Sequence, residues 1–186
     1  MTCAKRFSAS AALAALVLAG LAGSASACSC ADLPTLEERF ARDAAIFIGE
    51  VTASEWVTKR ERVVTLRVLK AWKGVEGGTV TVTTGGFVAG CGVMFSEGQA
   101  FLVYASGAEG GLSTSVCSGT RRYYRPEDTP DQEKGLNDTA RKYHERRLPA
   151  LRAAQEKELA ALDALVSAPS WKKGASKDGK KRKKTP

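Results

Sequence analysis

Four cysteines, Cys28, Cys30, Cys91 and Cys117, constrain the fold of this chain more than any other feature. A fifth, Cys3, belongs to an N-terminal leader. Lys5 and Arg6 supply its positive region, AALAALVLAGLAG (residues 11–23) is unbroken and apolar, and Ala25-Ser26-Ala27 has the A-x-A form that an export peptidase cuts. That apolar core is shorter than the about 20 residues a membrane span needs. The expectation is an exported chain in which residues 1–27 are a signal peptide and the mature protein begins at Cys28. An even number of cysteines in an oxidising compartment reads as two disulfides. A four-cysteine zinc site is the rival, but it pairs C-x-x-C knuckles at both ends, whereas here one C-x-C is followed by two singletons. Cysteines one residue apart do not easily bridge each other, so Cys28 and Cys30 each reach to Cys91 or Cys117. Either bridge closes a long loop, worth roughly 4 kcal/mol in the chain-entropy picture.

What lies between the cysteines is β-rich. PTLEERFARD (residues 34–43) reads as a short helix, with Pro34 early, two glutamates in the first turn, and Leu36 and Phe40 four apart. AAIFIGEVTASEWV and RVVTLRVLKAWK (residues 62–73) are rich in β-branched and aromatic residues. In the second, Val64, Leu66 and Val68 alternate with Thr65 and Arg67, and TKRE joins the two as a polar hairpin. TVTVTT (residues 79–84), AFLVYAS (residues 100–106) and LSTSV (residues 112–116) complete five short strands separated by glycine-rich turns, the pattern of a small barrel or sandwich.

Beyond residue 127 the texture changes. From Asp131 to Val166 the chain reads as helix, with Leu148, Leu151, Leu159, Leu162 and Leu165 forming an apolar stripe that would pack on the barrel or on a partner protomer. Pro149 is expected to split or kink it. The expected organisation is therefore a signal peptide (1–27), a β-domain (28–127), a helical extension (128–169) and a basic tail (170–186). The net charge of +8 resides almost entirely in that tail, where WKKGASKDGKKRKKTP carries eight Lys/Arg against one Asp. Its composition is that of a solvated, disordered terminus. Its charge would suit an anionic envelope surface such as lipopolysaccharide or acidic phospholipid. Nucleic acid is disfavoured by export and by the lack of aromatics beyond Trp171 on which bases could stack.

Enzyme chemistry finds little purchase. The single histidine, His144, sits within the charged helix, and the chain has no H-E-x-x-H, G-x-S-x-G or phosphate-cradling loop. Gly85-Gly86 and Gly110-Gly111 read as turns, and Glu37-Glu38 serve a helix N-terminus. The reading is a non-enzyme with no cofactor and no metal of its own.

Taken in order, these pieces resemble a known family. Cys28-Ser29-Cys30 at the expected mature N-terminus, FARDAAIFIG leading into the first strand, LKAWKG closing the second, and CGVMFSEGQAFLVYA followed by LSTSVCS match the netrin-like domain of the tissue inhibitors of metalloproteinases over roughly residues 28–120. The chain looks like a bacterial-type, single-domain member. The resemblance implies an all-β core: a five-stranded, OB-like closed barrel with a short N-terminal helix, here followed by a C-terminal helical extension. It also implies the pairings Cys28–Cys91 and Cys30–Cys117. Two features depart from the family. Its third bridge has no counterpart, with no cysteine near Phe40 or after Cys117, and its cysteine-rich second domain is absent.

The resemblance further implies a secreted inhibitor of zinc metalloendopeptidases. A free α-amino group has a pKa of about 8, so its lone pair is available to a Lewis acid. The amino nitrogen and carbonyl oxygen of Cys28 would chelate the partner's zinc in a five-membered ring, displacing the catalytic water from its open position. The disulfides would hold that tip in place and reduce the ordering cost. Ser29 would point into the protease's main specificity pocket, with Cys30 and Ala31 following it. Ala89, Gly90, Cys91 and Gly92 would form the second edge of the wedge. Two alternatives accompany this reading: a non-inhibitory netrin-like binding module of the cell envelope, and a lipid anchor on Cys28. Lipidation would leave one of Cys30, Cys91 and Cys117 without a partner.

Overall fold

The structure, a computed structural model, describes residues 30, 33–86, 91–108, 111–129 and 137–168. A short helix α1 (Leu36–Arg42) opens this part of the chain. Thr35 caps it through a reciprocal box: Glu38 N–H donates to Thr35 Oγ1 at 3.2 Å, and Thr35 N–H donates to the Glu38 carboxylate at 2.8 Å. Five strands then follow: β1 (Ala45–Thr58), β2 (Glu61–Lys73), β3 (Thr79–Gly85), β4 (Ala100–Ala108) and β5 (Gly111–Thr114).

They pair in the order β1-β2-β3-β5-β4, and β4 returns to β1 over Ala45–Glu50, closing a barrel. Every pairing is antiparallel except β3 with β5, where Val82 to Thr84 run alongside Leu112 to Thr114. This mixed, closed five-strand order is that of an OB-type barrel. The expected β-core, short N-terminal helix and C-terminal helix are all present. Two details differ. Val116 lies outside β5, in a 3₁₀ turn (Val116–Ser118), and a sixth strand, β6 (Arg121–Tyr123), pairs with β4 at Ala100–Leu102. Its three residues are basic and aromatic, with no alternation long enough to register as a strand.

Side-chain alternation divides the apolar residues between two cores. Ala45, Phe47 and Val51 of β1 and Phe101, Val103 and Ala105 of β4 point into the barrel, joining Val64, Leu66, Val82, Val93 and Phe95. Their neighbours Ile46, Ile48, Ala100, Leu102 and Tyr104 point outward into a second core with Phe40, Trp72 and Leu162. A strand covered on both faces reads as an unbroken apolar run, which is why AAIFI and AFLVYA do not alternate.

Covering that outer face is helix α2 (Asp138–Ser167), capped by Asn137, whose side chain accepts from Ala140 N–H at 2.9 Å. It docks through its C-terminal half. Leu162 is fully buried, with Leu159, Leu165 and Val166 packed around the same cluster. Of the expected apolar stripe, Leu159, Leu162 and Leu165 therefore pack on the barrel, whereas Leu148 and Leu151 lie outside that cluster. Pro149 does not split the helix, which continues through it as one element. Pro149 faces solvent, so water can satisfy the carbonyl its ring leaves without a donor. Of the expected helix, residues 131–136 lie outside the described residues, as does the basic tail.

Candidate functional site at the cysteine end of the barrel

The segment from Cys91 to Gln99 connects β3 to β4 and closes one end of the barrel. Val93 and Phe95 turn inward, Phe95 against Phe101 with ring centroids 4.6 Å apart, while Met94 between them is 60% exposed. Thr84, a buried hydroxyl, accepts from Val93 N–H at 3.0 Å. The turn into this plug is tight. Cys91 has φ 50°, the left-handed region rarely entered by residues with a side chain. Gly92 presses so closely on the β3 backbone that a Cβ there would lie 1.6 Å from the Gly85 carbonyl oxygen.

Cys91 is joined to the end of β5: its carbonyl accepts from Val116 N–H at 2.9 Å. The next residue, Cys117, is disulfide-bonded to Cys30 across a sequence separation of 87, with Cα atoms 5.4 Å apart. Cys91 is disulfide-bonded as well, to a partner outside the described residues. Hydroxyls hold the turn around Cys117. Tyr104 N–H donates to Thr120 Oγ1 and Thr114 Oγ1 donates to the Tyr104 carbonyl, each at 2.8 Å, and the Ser118 hydroxyl donates to the Ser115 carbonyl at 2.7 Å. Cys30, Cys91, Gly92 and Cys117 thus converge on one end of the barrel. Cys28, Ser29, Ala31, Ala89 and Gly90 lie outside the described residues, and with them the pairing of Cys28.

Behind this end is a charged cluster that sequence reasoning missed. Glu158 of α2 accepts from the Tyr104 hydroxyl at 2.5 Å, lies 3.5 Å from Arg39 of α1, and pairs with Arg121 of β6. Arg39 spreads over the Tyr104 ring with its guanidinium carbon 4.5 Å from the centroid. Burial raises the Tyr104 phenol pKa above its ordinary value, against the pull of Arg39 and Arg121. Burial lowers that of Arg121, partly offset by Tyr104. Lys73 Nζ donates to the carbonyls of Phe40 and Ala41 at 2.6 and 3.2 Å, closing the C-terminal end of α1. Burial lowers the Lys73 pKa, against the pull of Asp43. In sequence Glu158 is one acid among many on a charged helix, so nothing there marked it.

Elsewhere the polar groups are committed to structure. Gln155 mimics a neighbouring strand: its side-chain oxygen accepts from Tyr124 N–H at 2.9 Å and its amide donates to the Tyr124 carbonyl at 3.2 Å. Arg152 donates to the carbonyls of Arg125, Pro126 and Asp128. The shallow cleft these residues line with Tyr123 and Leu159 therefore has its chief donors and acceptors already engaged. Among the described residues no group of three His, Cys, Asp or Glu side chains could hold a metal ion, and no helix is long and apolar enough to cross a membrane. No protein-family model matches the chain, and a search of curated proteins finds no match.

Proposed function

We propose that this protein is an exported, netrin-like inhibitor of zinc metalloendopeptidases that masks a partner's zinc with the Cys28 amino and carbonyl groups. One observation carries the reading: Cys30, Cys91 and Cys117 converge at one end of a closed OB-type barrel. Cys30 is covalently tied there, two residues from the expected mature N-terminus. Pre-fixing a binding segment lowers the entropy lost on association. The exposed Met94 beside Cys91 and Gly92 adds apolar area next to that anchor. The tail from residue 170 would hold the inhibitor near anionic envelope surfaces through its eight basic side chains.

The test is an N-terminal extension. A variant carrying one alanine before Cys28 should keep its thermal transition and lose inhibition of a zinc endopeptidase by at least about 100-fold, since the amine no longer forms the chelate ring with the Cys28 carbonyl. Undiminished inhibition would dismiss the mechanism. Intact mass of the non-reduced protein comes first: a chain starting at Cys28 and four hydrogens short has a free amine. Added acyl mass on Cys28 would instead make the protein an anchored binding module.

A further inference from the structure

We infer that Glu158 is a positioning residue: through Arg39 and Arg121, helix α2 fastens α1 and the Cys117 turn together and so braces the Cys30–Cys117 tether. This deepens the reading above and rests on it for its purpose, although its geometry stands alone. The Arg39 and Glu158 side chains are only 12% and 13% exposed, so their charges meet in a partly desolvated place where pairing is strong. Arg39 belongs to α1, which starts six residues after Cys30. The same side chain lies directly on the turn at Gly119, two residues after Cys117. Gly119 has φ 91°, and a Cβ there would fall 2.5 Å from Arg39 Nη1. Arg39 therefore links α1, on the Cys30 side of the tether, to the turn on its Cys117 side.

Glu158 completes the arrangement from a third element. Without its charge, Arg39, which lies over the Tyr104 ring, and Arg121 would be two neighbouring cations with no shared counter-ion, and Arg39 would be driven off Gly119. The Tyr104 hydroxyl would also lose its charged acceptor. A separate polar link between α2 and β2 lies apart from this group: Asp163 accepts from Trp72 Nε1 at 2.6 Å and from Lys70 Nζ at 3.0 Å. The two carboxylates can be tested separately.

Hydrogen exchange of the full mature chain distinguishes them. Glu158→Gln should speed exchange of the α1 amides at residues 39–43 roughly tenfold, with the β1 and β4 amides unchanged. Asp163→Ala should loosen the C-terminal end of α2 and leave α1 protected. If Glu158→Gln does not fold, Arg39→Gln reports the same contact and should give the same α1 signature. Unchanged α1 exchange, or an equal rise in Asp163→Ala, would overturn the inference. Inhibition is a separate readout. If the exchange pattern appears while the unmodified protein inhibits no zinc protease, the zinc-masking reading fails and the fastening remains. If the protein inhibits but the pattern is missing, the fastening fails and the reading remains.

Discussion

At Gly92 a single methyl group should be decisive. Its Cβ would fall 1.6 Å from the Gly85 carbonyl oxygen, and because the atoms it meets at Gly85 and Gly86 are backbone, no rotamer change relieves the clash. Gly92→Ala should therefore cost about 3 kcal/mol, at the upper end for overpacked sites. Gly98 provides the contrast: it has φ 77° with nothing within 4 Å of where a Cβ would go. Gly98→Ala should cost only the left-handed backbone penalty of about 1 kcal/mol. Thermal or denaturant unfolding of the two variants side by side checks the difference. In sequence nothing shows this difference in packing between the two glycines. The requirement at Gly92 comes from β3 passing beside it, a contact that local spacing does not encode.

Among the elements, the five barrel strands were legible because each has either strict alternation, as in Val64-Thr65-Leu66, or a run of β-branched and aromatic residues. Strand β6 was not, because three residues held by pairing with Ala100–Leu102 have no period to read. The docking of α2 was half legible. Its leucine stripe announced a buried face, and the unbroken run AFLVYA could have supplied the partner, since a strand apolar at every position must be covered on both sides. The polar fastening was illegible, as Asp163 shows. Hydrogen bonds from Lys70 and Trp72 hold its carboxyl below its ordinary pKa. A carboxylate with a depressed folded-state pKa stabilises the fold above its unfolded value of about 3.9, and that contribution disappears as pH falls through the folded value. Melting temperatures measured from pH 6 down to pH 2.5 should fall more gently in Asp163→Asn than in the unmodified protein. The difference should be a fraction of a kcal/mol, because the Asp163 side chain is 53% exposed and its pairing screened.

The described residues form one barrel and two cores, and the second is completed only when α2 is in place. Ending the chain after residue 137 would leave Ile46, Ile48, Leu102 and Tyr104 facing water. Leu162 alone fills a site whose truncation costs about 2–5 kcal/mol. The shortened protein should bind a hydrophobic dye and precipitate on mild heating, while the full chain does neither. This division of cores also gives the chain a direction in time. Everything the first core needs has been synthesised by Leu112, whereas the second waits for Leu162 and closes contacts 91 and 93 residues apart at Trp72 and Lys70. A polypeptide folding as it is made from its N-terminus would carry a sticky outer face, bare until α2 arrives, and be prone to aggregate during that delay.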